Sequence, residues 1–324
     1  MLHFLIPDPQ SFRSGGNHYN ERLLSAMKAL GIPFTTTHQS RELPGQGLVL
    51  VDTLLWGQPL PPGCQPWLIV HHLQSLYPPP GYSSDAWFEA EERQQLHQFA
   101  GFLVSSPFTA AYLRQRGLEQ PCVVVEPALD ERPGPLPLRD YTSVDAIMTA
   151  NLVPRKGILP FLQQLEQNGV PAGLRLRIFG ESQLQPDYAR ACLQQLQRLP
   201  GDIRYGGVLP HSGLMRQYRQ ANLFISTSYM ETYGMSIQEA AAYGLPLLLL
   251  RGGNTANHLR RPPNGQACDT PGELVSFLTR WAQRPGELLP LAENARQQAE
   301  AAQRSWRDAA RELQQGLQPY LDTN

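Results

Sequence analysis

Two carboxylates, Glu231 and Glu239, stand eight positions apart within residues 230–246, with Gly234 between them. An apolar run at 223–226 precedes them and another at 247–250 follows. Glu231 therefore falls in the loop at the carboxyl end of a buried strand, the edge where open α/β sheets place ligands. Thr232, Tyr233, Gly234 and Met235 would form the first turn of a helix, whose amides and positive dipole end suit an anion. Gly234 lets a ligand approach the backbone closely. Glu239, inside that helix, can accept two hydroxyl hydrogen bonds of the kind a ribose diol offers. An anion flanked by two hydroxyl-binding acids is the pattern of a nucleotide diphosphate-sugar. The competing description makes Glu231 a charge at a helix start and Glu239 an exposed face residue.

Three other places could share this chemistry. Lys156, beside Arg155, sits in the loop behind a strand at 145–150, where a compact ammonium suits a phosphate. Of 27 basic residues, only Lys28 and Lys156 are lysines. Gly15 and Gly16 lie between a first strand and its helix, where glycines admit a phosphate close to the backbone or simply make a flexible turn. His71 and His72 follow directly on an apolar run at 67–70, and strand alternation turns them to opposite faces. In an ordinary strand end, one would cap and the other face solvent.

The elements that must position these groups read as strand, loop, helix, strand: 223–226, the acidic loop, a helix at 237–242 stopped by Gly244-Leu245-Pro246, and 247–250. Residues 231–246 fit E-x-x-G-x-x-x-x-E-A-x-A-x-G-x-P at every fixed position. This resembles the signature of the retaining, nucleotide-sugar-dependent glycosyltransferases of family four. The resemblance implies an α/β GT-B fold, two Rossmann-like domains with parallel sheets facing across a cleft. It implies a C-terminal domain that holds the nucleotide sugar and an N-terminal domain that presents the acceptor. Carried onto this chain, it gives Glu231, His71 and Lys156 catalytic roles. It assigns donor binding to Gly15, Gly16, Asn151, Arg155, Lys156, Gly180, Thr232, Tyr233, Gly234, Met235 and Glu239. Asn151 stands where relatives carry an Arg, a departure that weakens the expected phosphate grip. The implied reaction is hexosyl transfer with retention, without a cofactor and, since no D-x-D motif is evident in a suitable loop, without a metal.

Composition agrees with an enzyme of this kind. The 324 residues suffice for about two domains, and a net charge of −1 argues against a general nucleic-acid binder. Cys64, Cys122, Cys192 and Cys268 lack C-x-x-C spacing, which fits a reducing compartment. The N-terminus reads as a first strand at 2–6 rather than a signal peptide. No apolar run reaches the roughly 18 residues of a membrane span. These features predict a cytoplasmic protein, with peripheral membrane contact left open. The acceptor is left as a glycan, a lipid or a small molecule. Competing readings are a GT-B nucleotide-sugar epimerase, a non-catalytic nucleotide-sugar-binding protein and, more distantly, an NAD-dependent oxidoreductase. The third lacks the G-x-G-x-x-G fingerprint.

Further strands are expected at 48–51, 102–104, 123–125, 174–179 and 203–208, in parallel sheets covered on both faces. Helices are expected after Gly16, after the Ser106 cap with Pro107 at its first position, over 273–302, and over 306–321 with Trp306, Ala309, Leu313, Leu317 and Leu321 on one face. Residues 7–14 read as a loop. A Pro- and Gly-rich loop at 78–84 could contact the acceptor. Glu89, Glu91, Glu92 and Arg93 read as a solvated helix face. Residues 209–214 correspond, through the resemblance, to the region near the nucleobase. Four prolines in 126–139 mark a linker. The expected domains are 1–138 and 139–305, with the helix of 306–324 packing back on the first.

Overall fold

The computed structural model describes residues 1–8, 14–78, 86, 88–130, 133–301 and 304–321. Two compact units result: Met1–Asp130 with Arg304–Asn324, and Glu131–Gln303. Unit 1 contains β1 (Leu2–Leu5), α1 (Gly15–Ala29), β2 (Phe34–Thr37), β3 (Gly47–Asp52), β4 (Cys64–Val70), α2 (Arg93–Leu96), β5 (Gly101–Val104), α3 (Pro107–Gln115) and β6 (Cys122–Val124). Unit 2 contains β7 (Val144–Thr149), α4 (Ile158–Asn168), β8 (Leu174–Phe179), α5 (Pro186–Arg198), β9 (Asp202–Tyr205), α6 (His211–Gln220), β10 (Leu223–Ser226), α7 (Met235–Ala242), β11 (Leu247–Leu250), β12 (Gly265–Cys268), α8 (Pro271–Gln283) and α9 (Leu289–Ala301). The last helix, α10 (Trp306–Leu321), belongs to unit 1.

Each unit is built on a six-stranded parallel sheet, in the orders β2-β1-β3-β4-β5-β6 and β12-β11-β10-β7-β8-β9. Consecutive residues such as Leu48 to Val51 and Leu247 to Leu250 are all buried. Since neighbours on a strand point to opposite faces, both faces are covered by helices. In unit 2, α4 contributes Ile158, Phe161, Leu162 and Leu165 to one face. Ile237 and Ala240 of α7 pack on the other with Phe224, Leu247 and Leu249. Burying each such large side chain contributes about 1.5–3 kcal/mol.

Strand order reverses between β1 and β3 in the first sheet, and between β7 and β10 in the second. At such reversals the loops leave in opposite directions and open a crevice at the strands' carboxyl ends. The loop carrying Lys156 follows β7 and the one carrying Glu231 follows β10. In unit 1, Gly15 and Gly16 come after β1, and Asp52 ends β3.

Several expectations need correction. The units divide at Asp130 and Glu131 rather than at 138/139. Residues 133–139 are tied to unit 2: Arg219 Nη1 donates to the Pro135 carbonyl, and Arg139 donates to the carbonyls of Tyr218, Ala221, Tyr243 and Gly244. The helix expected over 273–302 breaks after Gln283, where Pro285-Gly286 opens a short 3-10 turn, and resumes as α9. Glu92 is not on a solvated face. It is buried and accepts the amides of Gln74 and Ser75 at 2.7 and 3.2 Å, while Arg93 and Glu89 do pair in the exposed i,i+4 manner. Gly15 and Gly16 are the first residues of α1, capped by Ser14, whose side chain accepts from Asn17 N. The strands β2 and β12 were not anticipated. Except for Pro78, the loop expected at 78–84 lies outside the described residues, as do 9–13 of the loop expected at 7–14.

The terminal helix α10 buries Trp306, Ala309, Leu313 and Leu317. The Trp306 ring stands edge-on to Tyr19 of α1 at 5.6 Å, and Tyr320 lies 4.7 Å from Trp67 of β4.

Candidate functional site

In unit 2, the loops after β7 and β10 are laced together. Tyr229 N donates to the Arg155 carbonyl at 2.9 Å, and Thr227 Oγ1 donates to the Lys156 carbonyl at 2.6 Å. Gly157 adopts the left-handed conformation with φ of 63°, and a Cβ there would collide with the Thr227 carbonyl. Close lacing and positive φ both call for glycine. The result is a buried ion pair, Lys156 Nζ donating to Glu231 Oε1, with Arg155 Nη1 4.0 Å from Glu231 Oε2.

Burial alone would raise the Glu231 pKa. The Lys156 ammonium, the Arg155 guanidinium and hydrogen bonds from Lys156 and Ser228 outweigh it and hold the carboxyl below the usual carboxylate range. Burial likewise pulls the Lys156 pKa down, opposed by Glu231 and assisted by Arg155. Two cations facing one carboxylate leave one positive charge in surplus beside the start of α7. That electrostatics favours a further anion.

The backbone of Glu231 is itself held. Its N–H donates to the Gly252 carbonyl at 3.3 Å and its carbonyl accepts from Asn254 N at 2.8 Å. The Tyr233 carbonyl accepts from Asn254 Nδ2 at 2.9 Å and from His258 Nε2 at 2.7 Å. A carbonyl only accepts, so His258 carries its hydrogen on Nε2. Burial, partly offset by that hydrogen bond, lowers the His258 pKa and keeps the ring neutral. Helix α7 begins at Met235, with Gly234 as a left-handed N-cap at φ of 96°. Thr232 and Tyr233 thus precede the helix rather than forming its first turn. Glu239 lies one turn inside, half-buried, where its Oε2 accepts from the Tyr218 hydroxyl at 3.2 Å. Tyr218 is fully buried and also meets Thr149 Oγ1 at 2.8 Å. Burial, followed by the nearby Glu239 charge, raises the phenol pKa well above its ordinary value and keeps it neutral.

Other predicted donor residues are placed differently. Asn151 Oδ1 accepts from Glu181 N at 3.0 Å, bracing the loop after β7 against the loop after β8. At Gly180, a Cβ would collide with the Ala150 carbonyl, and its own carbonyl accepts from Tyr205 Oη at 2.6 Å. Gly180 therefore has a packing role in that brace.

In unit 1, His71 leaves the end of β4 and its ring lies over α1. A Cβ on Gly16 would come within 2.9 Å of the ring carbons, and Tyr19 stands edge-on at 5.4 Å. His71 Nε2 is 2.9 Å from Asn20 Oδ1 and 3.3 Å from Asp52 Oδ2. Asn20 Nδ2 donates to Asp52 Oδ2 at 2.7 Å. Sequence reading missed Asn20, Asp52, Thr149, Tyr218 and His258, whereas Asn254 belongs to the segment 251–254 that ends the strand after the acidic motif, a ligand-edge position. Of the missed residues only Asp52 carried a signal, a polar residue at the end of an apolar run.

Among the described residues, no three His, Cys, Asp or Glu side chains form a metal-sized cluster, and no helix is long and apolar enough to cross a membrane. Residues 138–300 match the family model for glycosyl transferases group 1. Among solved structures, the chain is similar to sucrose-phosphate synthase from Thermosynechococcus elongatus, at 17% identity and a TM-score of 0.75, covering 100% of this chain and 99% of that one. It is also similar to Anabaena Alr3699/HepE in complex with UDP and glucose, at 15% identity and a TM-score of 0.69 over 98% and 99% of the two chains. A third likeness is to WaaG, a glycosyltransferase involved in lipopolysaccharide biosynthesis, at 12% identity and a TM-score of 0.69 over 100% of both. At these identities the likeness is one of fold. No curated protein matches the sequence.

Proposed function

The chain belongs to the glycosyl transferases of group 1 and has the GT-B fold, and from that premise we propose that it moves a sugar from a nucleotide diphosphate-sugar to an acceptor with retention of anomeric configuration and without a metal ion. The observation that carries the reading is the surplus positive charge of Lys156 and Arg155 over Glu231, at the start of α7 and at a reversal of strand order. A diphosphate satisfies that surplus, and the amides at the start of α7 add donors. Glu239, held by Tyr218, accepts the ribose hydroxyls. Glu231, kept ionised by its cations, accepts from hydroxyls of the transferred sugar.

Leaving-group charge grows as the glycosidic bond breaks, so Lys156 binds the transition state more strongly than the ground state. That is the electrostatic work a divalent ion would otherwise perform. The resemblance sets His71 near the reacting sugar, and in this reading its imidazole hydrogen-bonds a donor-sugar hydroxyl. In a retaining front-face reaction the departing phosphate oxygen takes the acceptor's proton, so no general base is required. The acceptor is a glycan, a lipid or a small molecule, and the compartment is the cytoplasm.

A thermal-shift screen of UDP-, GDP-, ADP- and TDP-sugars identifies the donor, since a ligand of the native state raises Tm. Proton NMR of the transferred product, with and without EDTA, then tests the reaction. The expected result is an anomeric coupling matching the donor's and a rate unaffected by EDTA. An inverted product, or loss of transfer restored by magnesium or manganese, overturns retention or metal independence. Failure of every nucleotide diphosphate to stabilise the protein overturns the donor site.

A further inference from the structure

We propose that Asp52 and Asn20 are positioning residues that fix the His71 ring in the tautomer bearing its hydrogen on Nε2, with Nδ1 as the acceptor nitrogen. The consequence for transfer rests on the reading of His71 given above. The tautomer does not.

Asp52 ends β3, and its register partner on β4 is Ile69, two residues before His71. The Asp52 side chain is completely buried and both its oxygens are engaged. Oδ1 accepts from Leu54 N at 2.8 Å, and Oδ2 accepts from Asn20 Nδ2 at 2.7 Å while lying 3.3 Å from His71 Nε2. Burial would raise the Asp52 pKa, but the neighbouring His71 and the hydrogen bonds from His71, Leu54 and Asn20 bring it below the ordinary value, so the group is a carboxylate.

The logic then runs outward. An ionised carboxylate only accepts, so the Asn20 atom facing it is the amide nitrogen. This turns Asn20 Oδ1 toward the imidazole, 2.9 Å from Nε2. An amide oxygen also only accepts. His71 Nε2 thus faces two acceptors and must be an N–H donor. A ring flip would set a ring carbon against both acceptors in place of Nε2, which the two polar contacts disfavour. In the neutral ring Nδ1 then holds the lone pair. A sugar hydroxyl donates to it and keeps its own lone pairs for other donors. The side chain is 14% exposed, enough for contact at one edge.

The test is long-range 1H–15N NMR of the full chain at alkaline pH, with His71 assigned by loss of its signals in His71→Gln. The expected result is an Nε2–H pattern for His71 in the unmodified protein. In Asp52→Asn or Asn20→Ser, the pattern should move toward a mixture of tautomers. With the donor found by the screen, kcat of these variants should fall about 10²-fold while donor KM stays within about twofold, the signature of a misplaced reacting group. An Nδ1–H ring in the unmodified protein, or an unchanged pattern in both variants, overturns the proposal. Because the spectra need no substrate, they decide the tautomer even if no sugar is transferred. An altered tautomer with unaltered kcat overturns the consequence for transfer.

Discussion

Replacing Lys156 by Met removes the ammonium but keeps most of the methylene bulk, so its effect isolates charge. The Lys156 and Glu231 side chains are only 12% and 11% exposed. Deleting one partner of a buried pair costs about 3–5 kcal/mol, because the other charge is left unpaired. Arg155 remains 4.0 Å from the second carboxylate oxygen, which puts the expected cost near the low end, about 3 kcal/mol. Glu231→Gln should cost about the same, for the mirrored reason. The double variant removes both charges and should cost far less than the sum, giving a coupling energy of about 2–3 kcal/mol. Urea unfolding followed by far-ultraviolet circular dichroism measures all four proteins. Single-variant costs that add to the double within about 0.5 kcal/mol would refute the pair as an energetic unit. The same series carries a pH signature. Glu231 titrates below its ordinary range in the folded protein, so its stabilisation is present above that range and is lost as pH falls through the folded pKa. In Lys156→Met the chief charge holding it down is gone, and the acid limb of the stability curve should move to higher pH.

Glu239→Ala should weaken nucleotide diphosphate binding by about 1.5–3 kcal/mol, and Tyr218→Phe by less, since it loosens the carboxylate without removing it; calorimetric titration that finds the tyrosine variant the weaker binder would reverse the roles. His258 is neutral in the fold with a lowered pKa, so stability should decline as pH drops below about 6.5 and flatten beneath the folded pKa. Melting temperatures of the protein and of His258→Gln between pH 8 and 5 check this, since the variant should lack that slope. Gly157→Ala should cost about 2 kcal/mol or more from the left-handed backbone alone, a Tm fall of about 4–8 °C in a scanning calorimeter. An unshifted Tm would mean that the loop relaxes freely.

The parts of the fold that could be read beforehand were those in which one short segment determines the structure. Leu247–Leu250, a four-residue apolar run directly after Gly244-Leu245-Pro246, is too short for a helix and reads as a strand covered on both faces, and Ser106-Pro107 marks a helix start by cap chemistry alone. Phe34–Thr37 and Gly265–Cys268, both edge strands paired on one side, escaped notice because neither contains an apolar run to announce it. The same distinction divides the site. Glu231, Glu239 and Lys156 stand out by type and spacing. Tyr218, 21 residues from Glu239, and Asn20, 51 residues from His71, matter only through parallel-sheet register and helix packing, which bring distant segments together. Asn151 was legible only as a departure from the Arg of relatives; that its side-chain oxygen accepts from the Glu181 amide depends on two loops meeting, which no local spacing announces.

The return of α10 to unit 1 makes unit 2 an uninterrupted insertion whose two ends are gathered at one place. Leu129 and Ser305 form a β-bridge, Arg304 donates to the Glu126 carbonyl at 2.8 Å, and Trp306 Nε1 donates to Asp130 at 3.1 Å. Heredity can treat such an insertion as a single exchangeable block. Two recombination points, one after Asp130 and one before Arg304, replace all of unit 2 while every strand of the β2-β1-β3-β4-β5-β6 sheet and its terminal helix come from one parent. Chimaeras joined at 138/139 would instead separate Arg139 from the linker segment it follows and leave Pro135, which accepts from Arg219, on the wrong side of the seam.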